Sequence, residues 1–217
     1  MEEFIIPKSY KDAIEVQEKL APRVKIVKFK RKIEHVGGAD VSYSKHNKSI
    51  GIIAILNLDT LKMVEFKTST QPISFPYIPG LLSFREIPCL LNAFKKLHIL
   101  PDLLIVDGNG IAHPRKIGIA SHMGILLNIP TIGCAKKPFY PTEIPENYIG
   151  AFKYMKNKKE EIVGVSLRTR ENVKPVYISP GHLINFEESI EIILKVSRFR
   201  IPEPLRFAHT IGKNLNL

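Results

Sequence analysis

HVGGADVSYSKHNKSIGIIAILNLDTLKMVEFKTS, residues 35–69, contains three strand-like runs separated by two short polar joins. The runs are His35–Ser44, Ser49–Asn57 and Leu61–Ser69; the joins are Lys45-His46-Asn47-Lys48 and Asp59-Thr60. Joins of this length suit hairpins, so the stretch predicts an antiparallel meander. Downstream the pattern changes. After a Pro-rich loop, helical spacing of apolar residues covers Ile87 to Leu97, and Leu103-Leu104-Ile105-Val106-Asp107 is a compact strand. A helix from Ile117 to Leu127 leads to a second short strand, Thr131 to Ala135. A strand–helix–strand passage favours parallel neighbours. The expected fold class is therefore α/β: a mixed sheet, with an antiparallel three-strand meander followed by parallel strands, flanked by helices.

Working outward, residues 9–20 predict a short amphipathic helix, with Ala13, Ile14, Val16 and Leu20 on one side. Tyr148–Lys153, Ile162–Leu167 and Pro175–Ile178 are further strand-like pieces, and Phe186–Val196 is a helix. The Arg-rich tail is expected to end in a short turn of helix. No internal repeat, low-complexity tract or Gly/Ser linker divides the chain, so residues 1–217 are expected to form a single domain.

The composition, 44% hydrophobic with 8% aromatic residues, is that of a globular chain rather than a disordered one. Lys and Arg total 32 against 21 Asp and Glu, a formal charge of +11. That sign favours a polyanionic partner, because neutralising phosphates releases condensed counterions. Cys89 and Cys134 lack metal-site spacing and lie in apolar surroundings, so they are expected to be buried thiols in a reducing compartment. Met1-Glu2-Glu3-Phe4 lacks the charged-then-apolar order of a signal peptide. Runs such as Ile50–Leu56 and Leu103–Val106 are too short to cross a bilayer. The expected setting is the cytoplasm, or the nucleus where there is one. No membrane and no obligate protein partner is inferred.

Two acids stand out by position. Asp40 interrupts Val36-Gly37-Gly38-Ala39-Asp40-Val41-Ser42-Tyr43, where a strand-borne charge is costly unless it faces a polar site. Asp107 closes its strand and precedes Gly108-Asn109-Gly110, and carboxyl ends of strands in open α/β sheets are where ligand sites gather. Either residue could instead simply start a turn. Glu86 has two readings. Ser83-Phe84-Arg85-Glu86 has the spacing of a capping box. If the helix begins near Pro88, however, Glu86 precedes it and is free to enter a site. Three carboxylates brought together repel one another and raise their own pKa values unless a cation neutralises them. An all-oxygen set suits Mg²⁺ or Mn²⁺ rather than zinc. Such a site can activate water and stabilise the leaving oxygen of a phosphodiester.

Longer strings are more specific. Gly38-Ala39-Asp40-Val41-Ser42-Tyr43, the run from Pro76-Tyr77-Ile78-Pro79-Gly80 through Leu81-Leu82-Ser83-Phe84-Arg85-Glu86, and Val106-Asp107-Gly108-Asn109-Gly110-Ile111-Ala112-His113-Pro114-Arg115 resemble the endonuclease V family, deoxyinosine 3′-endonucleases. Thr131-Ile132-Gly133-Cys134-Ala135-Lys136-Lys137 and Ser179-Pro180-Gly181-His182 extend the match over nearly the whole chain in the right order.

The resemblance implies an RNase H-like fold and Mg²⁺-dependent hydrolysis of the second phosphodiester 3′ to a deaminated adenine, leaving 3′-hydroxyl and 5′-phosphate ends. It implies that Asp40, Glu86 and Asp107 are metal-binding carboxylates, with Mn²⁺ able to substitute. His209 matches a fourth active-site position; metal ligand, outer partner and phosphate contact remain open for it. Lys136 matches an active-site lysine that stabilises charge on the phosphate or helps deprotonate water. Tyr77, with Pro79 and Gly80 beside it, matches a wedge that fills the gap left by an extruded base. The alternative for Tyr77 is a ring packed on the domain.

His113 is expected to contact a substrate phosphate or a bound water, or else to be a structural turn histidine. Gly108 and Gly110 would let backbone approach a flipped base, although a plain turn also needs glycine. His35, His46, His98 and His122 receive no role, and Lys137 is a phosphate contact or a solvated charge. Lys28-Phe29-Lys30-Arg31-Lys32 and Lys156-Asn157-Lys158-Lys159 could track a nucleic-acid backbone. For the second stretch a solvated face competes, because Glu160 and Glu161 follow at once. Arg198, Arg200 and Arg206 add positive charge near the tail. The expected partner is deoxyinosine-containing DNA. Inosine-containing RNA and a non-catalytic nucleic-acid-binding protein of this fold are the alternatives.

Overall fold

The computed structural model describes residues 2–29 and 31–215. Lys30, in the first basic stretch, lies outside the described residues. Strands β1 (His35–Tyr43), β2 (Lys48–Asn57) and β3 (Met63–Pro72) form the predicted antiparallel meander. β4 (Leu103–Asp107) lies parallel to β1, and β5 (Thr131–Ala135) lies parallel to β4. β6 (Phe152–Lys156), β7 (Ile162–Leu167) and β8 (Val176–His182) add antiparallel strands, giving the order β3-β2-β1-β4-β5-β8-β7-β6. The helices are α1 (Tyr10–Leu20), α2 (Leu82–Phe94), α3 (Ile119–Leu127), α4 (Phe186–Lys195) and α5 (Glu203–Leu215). An eight-stranded mixed sheet flanked by helices is the RNase H-like class expected from the sequence.

The sheet is covered on both faces. One face of β1, β4 and β5, carrying Val36, Leu103, Ile105 and Ile132, packs on Ile193 of α4 and on Leu205 and Ala208 of α5. The other, carrying Ala39, Leu104 and Val106, packs on Ile87, Leu90 and Phe94 of α2 and on Met123 and Leu126 of α3. Burial on both sides explains why Ile50–Leu56 reads as one apolar run rather than an alternation. Cys89 and Cys134 are free thiols within these layers. Among the described residues, no helix is long and apolar enough to cross a membrane.

Several boundaries differ from the sequence expectation. Helix α2 begins at Leu82 rather than Ile87, so Pro88 lies inside it. An interior proline costs roughly 3 kcal/mol. The extra turn buries Phe84 almost completely, and such a side chain contributes about 1.5–3 kcal/mol, comparable to that cost. The capping box expected at Ser83 and Glu86 does not form: the N-cap is Leu81, with no side-chain cap bond. The sequence signature occurs again at Asn185 and Glu188, and there the reciprocal bonds do form, at the start of α4. β6 lies at Phe152–Lys156 instead of Tyr148–Lys153, and β8 runs on through the Ser179-Pro180-Gly181-His182 string. The tail forms a full 13-residue helix, α5, rather than a single turn.

Candidate active site

Register sets the first pair of acids side by side. Ala39 pairs with Val106 across the parallel β1–β4 ladder, so Asp40 and Asp107 occupy the next adjoining positions. By strand alternation both project toward the α5 face, as does Lys136 just beyond β5. Lys136 Nζ lies 2.5 Å from Asp107 Oδ2. His209 Nδ1 lies 3.0 Å from Asp40 Oδ2, delivered by α5 across the sheet. Helix α5 can approach this closely because residue 38 is glycine: a Cβ there would stand 2.2 Å from the Pro204 carbonyl.

Glu86 enters from the opposite face, on α2. Its Oε1 accepts a 2.7 Å hydrogen bond from the Tyr43 hydroxyl. Arg85 covers that phenol, with its guanidinium 4.8 Å from the ring centroid, while its Nη1 donates to the Phe75 carbonyl at 2.9 Å. Glu86 is thus neither a cap nor a residue preceding the helix; it is a helical side chain reaching the rim of the acid pair. Among the described residues, no three His, Cys, Asp or Glu side chains converge closely enough to form a ready-made metal cage. The three acids border one another, each turned to its own partner: Asp40 to His209, Asp107 to Lys136 and Glu86 to Tyr43.

Their electrostatics register the crowding. Burial, then the neighbouring Asp107, raises the Asp40 carboxyl above its ordinary value. Burial pushes Glu86 up to about 8, and Asp40 and Asp107 add to the rise while the Tyr43 hydrogen bond opposes it. Burial pulls Lys136 down, but Asp107 and Asp40 outweigh it and hold the ammonium above its usual range. Lys136 is therefore a fixed cation near neutral pH. Two adjoining strand carboxylates with Glu86 at their rim, opposed by one lysine, offer hard oxygen donors and surplus negative charge, a chemistry that fits Mg²⁺ or Mn²⁺.

Beside this wall lies a slot of about 190 Å³, lined by Gln17, Tyr77, Ile78, Pro79, Gly80, Leu82, Ser83, Asn109, His113, Ile117, Gly118, Ile119 and Phe139. Small-molecule pockets run roughly 300–1,000 Å³, so this one suits a single ring system. Tyr77 at its lip is 67% exposed and thus not packed into the domain. Gly80, at φ +81°, is held by three donors to its carbonyl: Gln17 Nε2 at 3.0 Å, Arg115 Nη2 at 3.0 Å and His113 Nε2 at 2.9 Å. His113 Nδ1 accepts from the Arg115 backbone N–H, which fixes the Nε2–H tautomer. Burial lowers its pKa to about 4, so the ring is neutral.

The structure thus brings Tyr77, Pro79, Gly80 and His113 together at the slot, but His113 is engaged with the loop rather than with a phosphate position. Gly108 and Gly110 are not among the lining residues; Asn109 between them is. Gly110 answers to packing, since a Cβ there would stand 2.1 Å from the Pro180 carbonyl oxygen. Gln17, Tyr43, Asn109, Arg115 and Phe139 were not assigned roles from sequence. Tyr43 lies inside one of the diagnostic strings, yet only the folded chain brings its hydroxyl to Glu86. Arg200 Nη2 donates to the Lys136 carbonyl at 3.0 Å, so it supports the strand end carrying the lysine. Arg206 pairs with Glu203 and lies over the Phe199 ring, 3.9 Å from its centroid.

Strand-borne carboxylates at adjoining positions of an RNase H-like sheet, with a ring-sized slot alongside, define a nuclease of the RNase H-like class. The sequence profile of endonuclease V matches residues 18–210. The chain belongs to the endonuclease V family and is an endonuclease. It is 47% identical to the endonuclease V of Dictyoglomus turgidum over 217 residues, spanning 98% of this chain and 93% of that protein. Among solved structures, endonuclease V of Streptomyces avermitilis superposes with a TM-score of 0.92 at 36% identity, covering 97% of this chain and 94% of that one. Endonuclease V of Ciona intestinalis, in complex with a 24mer DNA containing an inosine followed by a ribo-adenosine, superposes at 0.84 with 29% identity, covering 94% of this chain and 96% of that one.

Proposed function

We propose that this endonuclease recognises hypoxanthine, the deaminated form of adenine, in DNA and hydrolyses the second phosphodiester 3′ to it in a Mg²⁺-dependent reaction, leaving a 3′-hydroxyl and a 5′-phosphate. The observation that carries the reading is the ring-sized slot, with exposed Tyr77 at its lip, two residues along the chain from Asp107 through Asn109. The Ciona relative's complex with inosine-containing DNA supports the same substrate class.

Asp40, Glu86 and Asp107 would hold the cation, with Mn²⁺ able to replace Mg²⁺. A divalent ion held there would supply Lewis-acid polarisation of the phosphodiester and a more nucleophilic water at neutral pH. The chain's own groups do the rest. Lys136, kept charged by Asp107, stabilises the negative charge that builds on the phosphate; as a fixed cation it is unsuited to act as the base. His209 orients Asp40 through the hydrogen bond at Nδ1. Tyr77, braced by Pro79 and Gly80, fills the gap left when the base enters the slot, and Gly108 and Gly110 shape the turn that carries Asn109 to it. His113, by clamping Gly80, keeps the slot open in a single shape.

Inosine-containing RNA is a second reading, favoured by the ribonucleotide that follows inosine in the Ciona complex. The test uses matched DNA and RNA strands, each with one inosine or with adenine in its place, in Mg²⁺ or in EDTA. Cutting of the inosine DNA in Mg²⁺ alone is expected. Metal-independent cutting, or equal cutting of the adenine strand, would sink the proposal, and faster cutting of RNA would favour the second reading.

A further inference from the structure

Phe139 has two sides. On one it lines the slot; on the other it lines a hollow of about 560 Å³ with Lys116, Tyr140, Pro141, Lys158 and Lys159. That hollow shares Tyr140, Pro141, Asn157 and Lys158 with a larger one, about 800 Å³, that follows the edge strand β6 past Tyr154. The groove therefore adjoins the slot, with the Phe139 ring between them.

Aromatic rings step along it. The His113 and Phe139 centroids are 5.8 Å apart, and Phe139 meets Tyr140 edge-on at 5.1 Å. Farther on, Phe152 and Tyr154 make an edge-on pair at 5.4 Å on the same side of β6, and Tyr154 is half exposed. Cations accompany the rings. Lys116, Lys153 and Lys156 are paired with Glu161, Glu146 and Glu160. Lys158 and Lys159 make no ion pair with any described residue, although Glu161 beside them feels the Lys159 charge. Five lysines, Lys116, Lys153, Lys156, Lys158 and Lys159, face Glu143, Glu160 and Glu161 along the groove, so its lining is net positive.

Rings along a net-positive groove, with Tyr140 partly exposed beside Met155 and Tyr154 half exposed, suit a strand whose bases are unstacked, because every base has a face to stack and every phosphate a charge to place. A duplex offers no free base faces to such a row. We propose that this groove binds the single-stranded nucleic acid flanking the modified base, with bases on Tyr140 and Tyr154 and phosphates against Lys158 and Lys159. The inference rests on the slot holding that base.

Fluorescence anisotropy in EDTA, where strands are bound without being cut, tests it on the full chain. The probes are short strands with a central inosine, the same strands extended by about ten nucleotides on the 5′ or the 3′ side, the extended strands with the extension annealed to a complement, and matched adenine strands. One of the single-stranded extensions should tighten binding at least about tenfold. Lys158→Glu/Lys159→Glu should reduce that gain to under about threefold and lower the log–log salt slope by about 1.4, since each single-strand phosphate contact contributes about 0.7. Tyr154→Ala should weaken binding of the extended strand about fivefold or more. Lys62→Glu/Lys95→Glu, the same charge change away from the groove, should keep the gain.

No gain from either extension, a gain that survives Lys158→Glu/Lys159→Glu, or an equal gain from the annealed extension would each overturn the groove. Equal binding of inosine and adenine strands, with the length-dependent gain still lost in Lys158→Glu/Lys159→Glu, would overturn the base-recognition reading and support the groove.

Discussion

His209 Nδ1 lies 3.0 Å from Asp40 Oδ2, a hydrogen bond between the last helix and the first strand across 169 residues of chain. It exists because Gly38, two residues before Asp40 on the same face of β1, leaves room for the start of α5 against the strand. Replacing Gly38 with Ala places a methyl group 2.2 Å from the Pro204 backbone. Backbone cannot swing aside as a long side chain does, so α5 must shift and carry His209 from Asp40. Gly38→Ala should lose about 1–3 kcal/mol of stability by overpacking, along with most of its cleavage activity. An unchanged urea midpoint together with unchanged activity would show that α5 does not need this contact.

Tyr43 controls Glu86. The phenol donates to the carboxylate, which favours its charged form and opposes the upward push of burial. Tyr43→Phe keeps the ring under Arg85 but removes the donor, so the Glu86 carboxyl rises further. The acidic limb of the pH–rate profile should move to higher pH, and half-maximal activity should require more Mg²⁺. A limb that stays in place would mean that the hydroxyl does not act through Glu86.

Glu86 also costs stability in the absence of a cation. Its folded pKa of about 8 exceeds the ordinary 4.5, so the folded chain keeps a proton that the unfolded chain releases. Stability contributed by this group is therefore fully present below pH 4.5 and is lost as pH rises toward 8. At about 1.4 kcal/mol per pKa unit the loss is on the order of a few kcal/mol. In EDTA, Glu86→Gln should melt above wild type at pH 9 and level with it near pH 4. Thermal melts across that range check this; a constant offset at all pH values would contradict the assignment.

Tyr77 is 67% exposed, so its truncation removes little buried surface. Tyr77→Ala should hold stability within about 0.5 kcal/mol, while the ratio of inosine-strand to adenine-strand cleavage falls. If selectivity stays at the wild-type ratio, the ring does not fill the gap beside the base.

Much of this architecture was legible from pattern. The meander and the strand–helix–strand passage follow from hydrophobic periodicity and short polar joins, which are local signals. The adjacency of Asp40 and Asp107 does not, because it depends on β1 pairing with β4. Glu86 was harder, because Ser83 and Glu86 have the spacing of a capping box and Pro88 argues for a late helix start. Burial of Phe84 overrides both, and burial is a tertiary quantity that no local rule contains. Helix α5 was underestimated for a related reason: its helical face is defined by what it covers on β1 and β2. The clamp on Gly80 joins Gln17, His113 and Arg115 from distant parts of the chain, and the Tyr43–Glu86 bond spans two elements. Neither leaves a periodic trace.

The most direct test of the acidic wall compares cleavage with binding in Asp40→Ala and Asp107→Ala. Each variant is incubated with an end-labelled inosine DNA strand in Mg²⁺, and its affinity for the same strand is measured in parallel. If these carboxylates hold the cation that cuts, both variants lose cleavage while keeping most of their affinity for the strand. Cleavage by either variant at close to the wild-type rate would contradict the account.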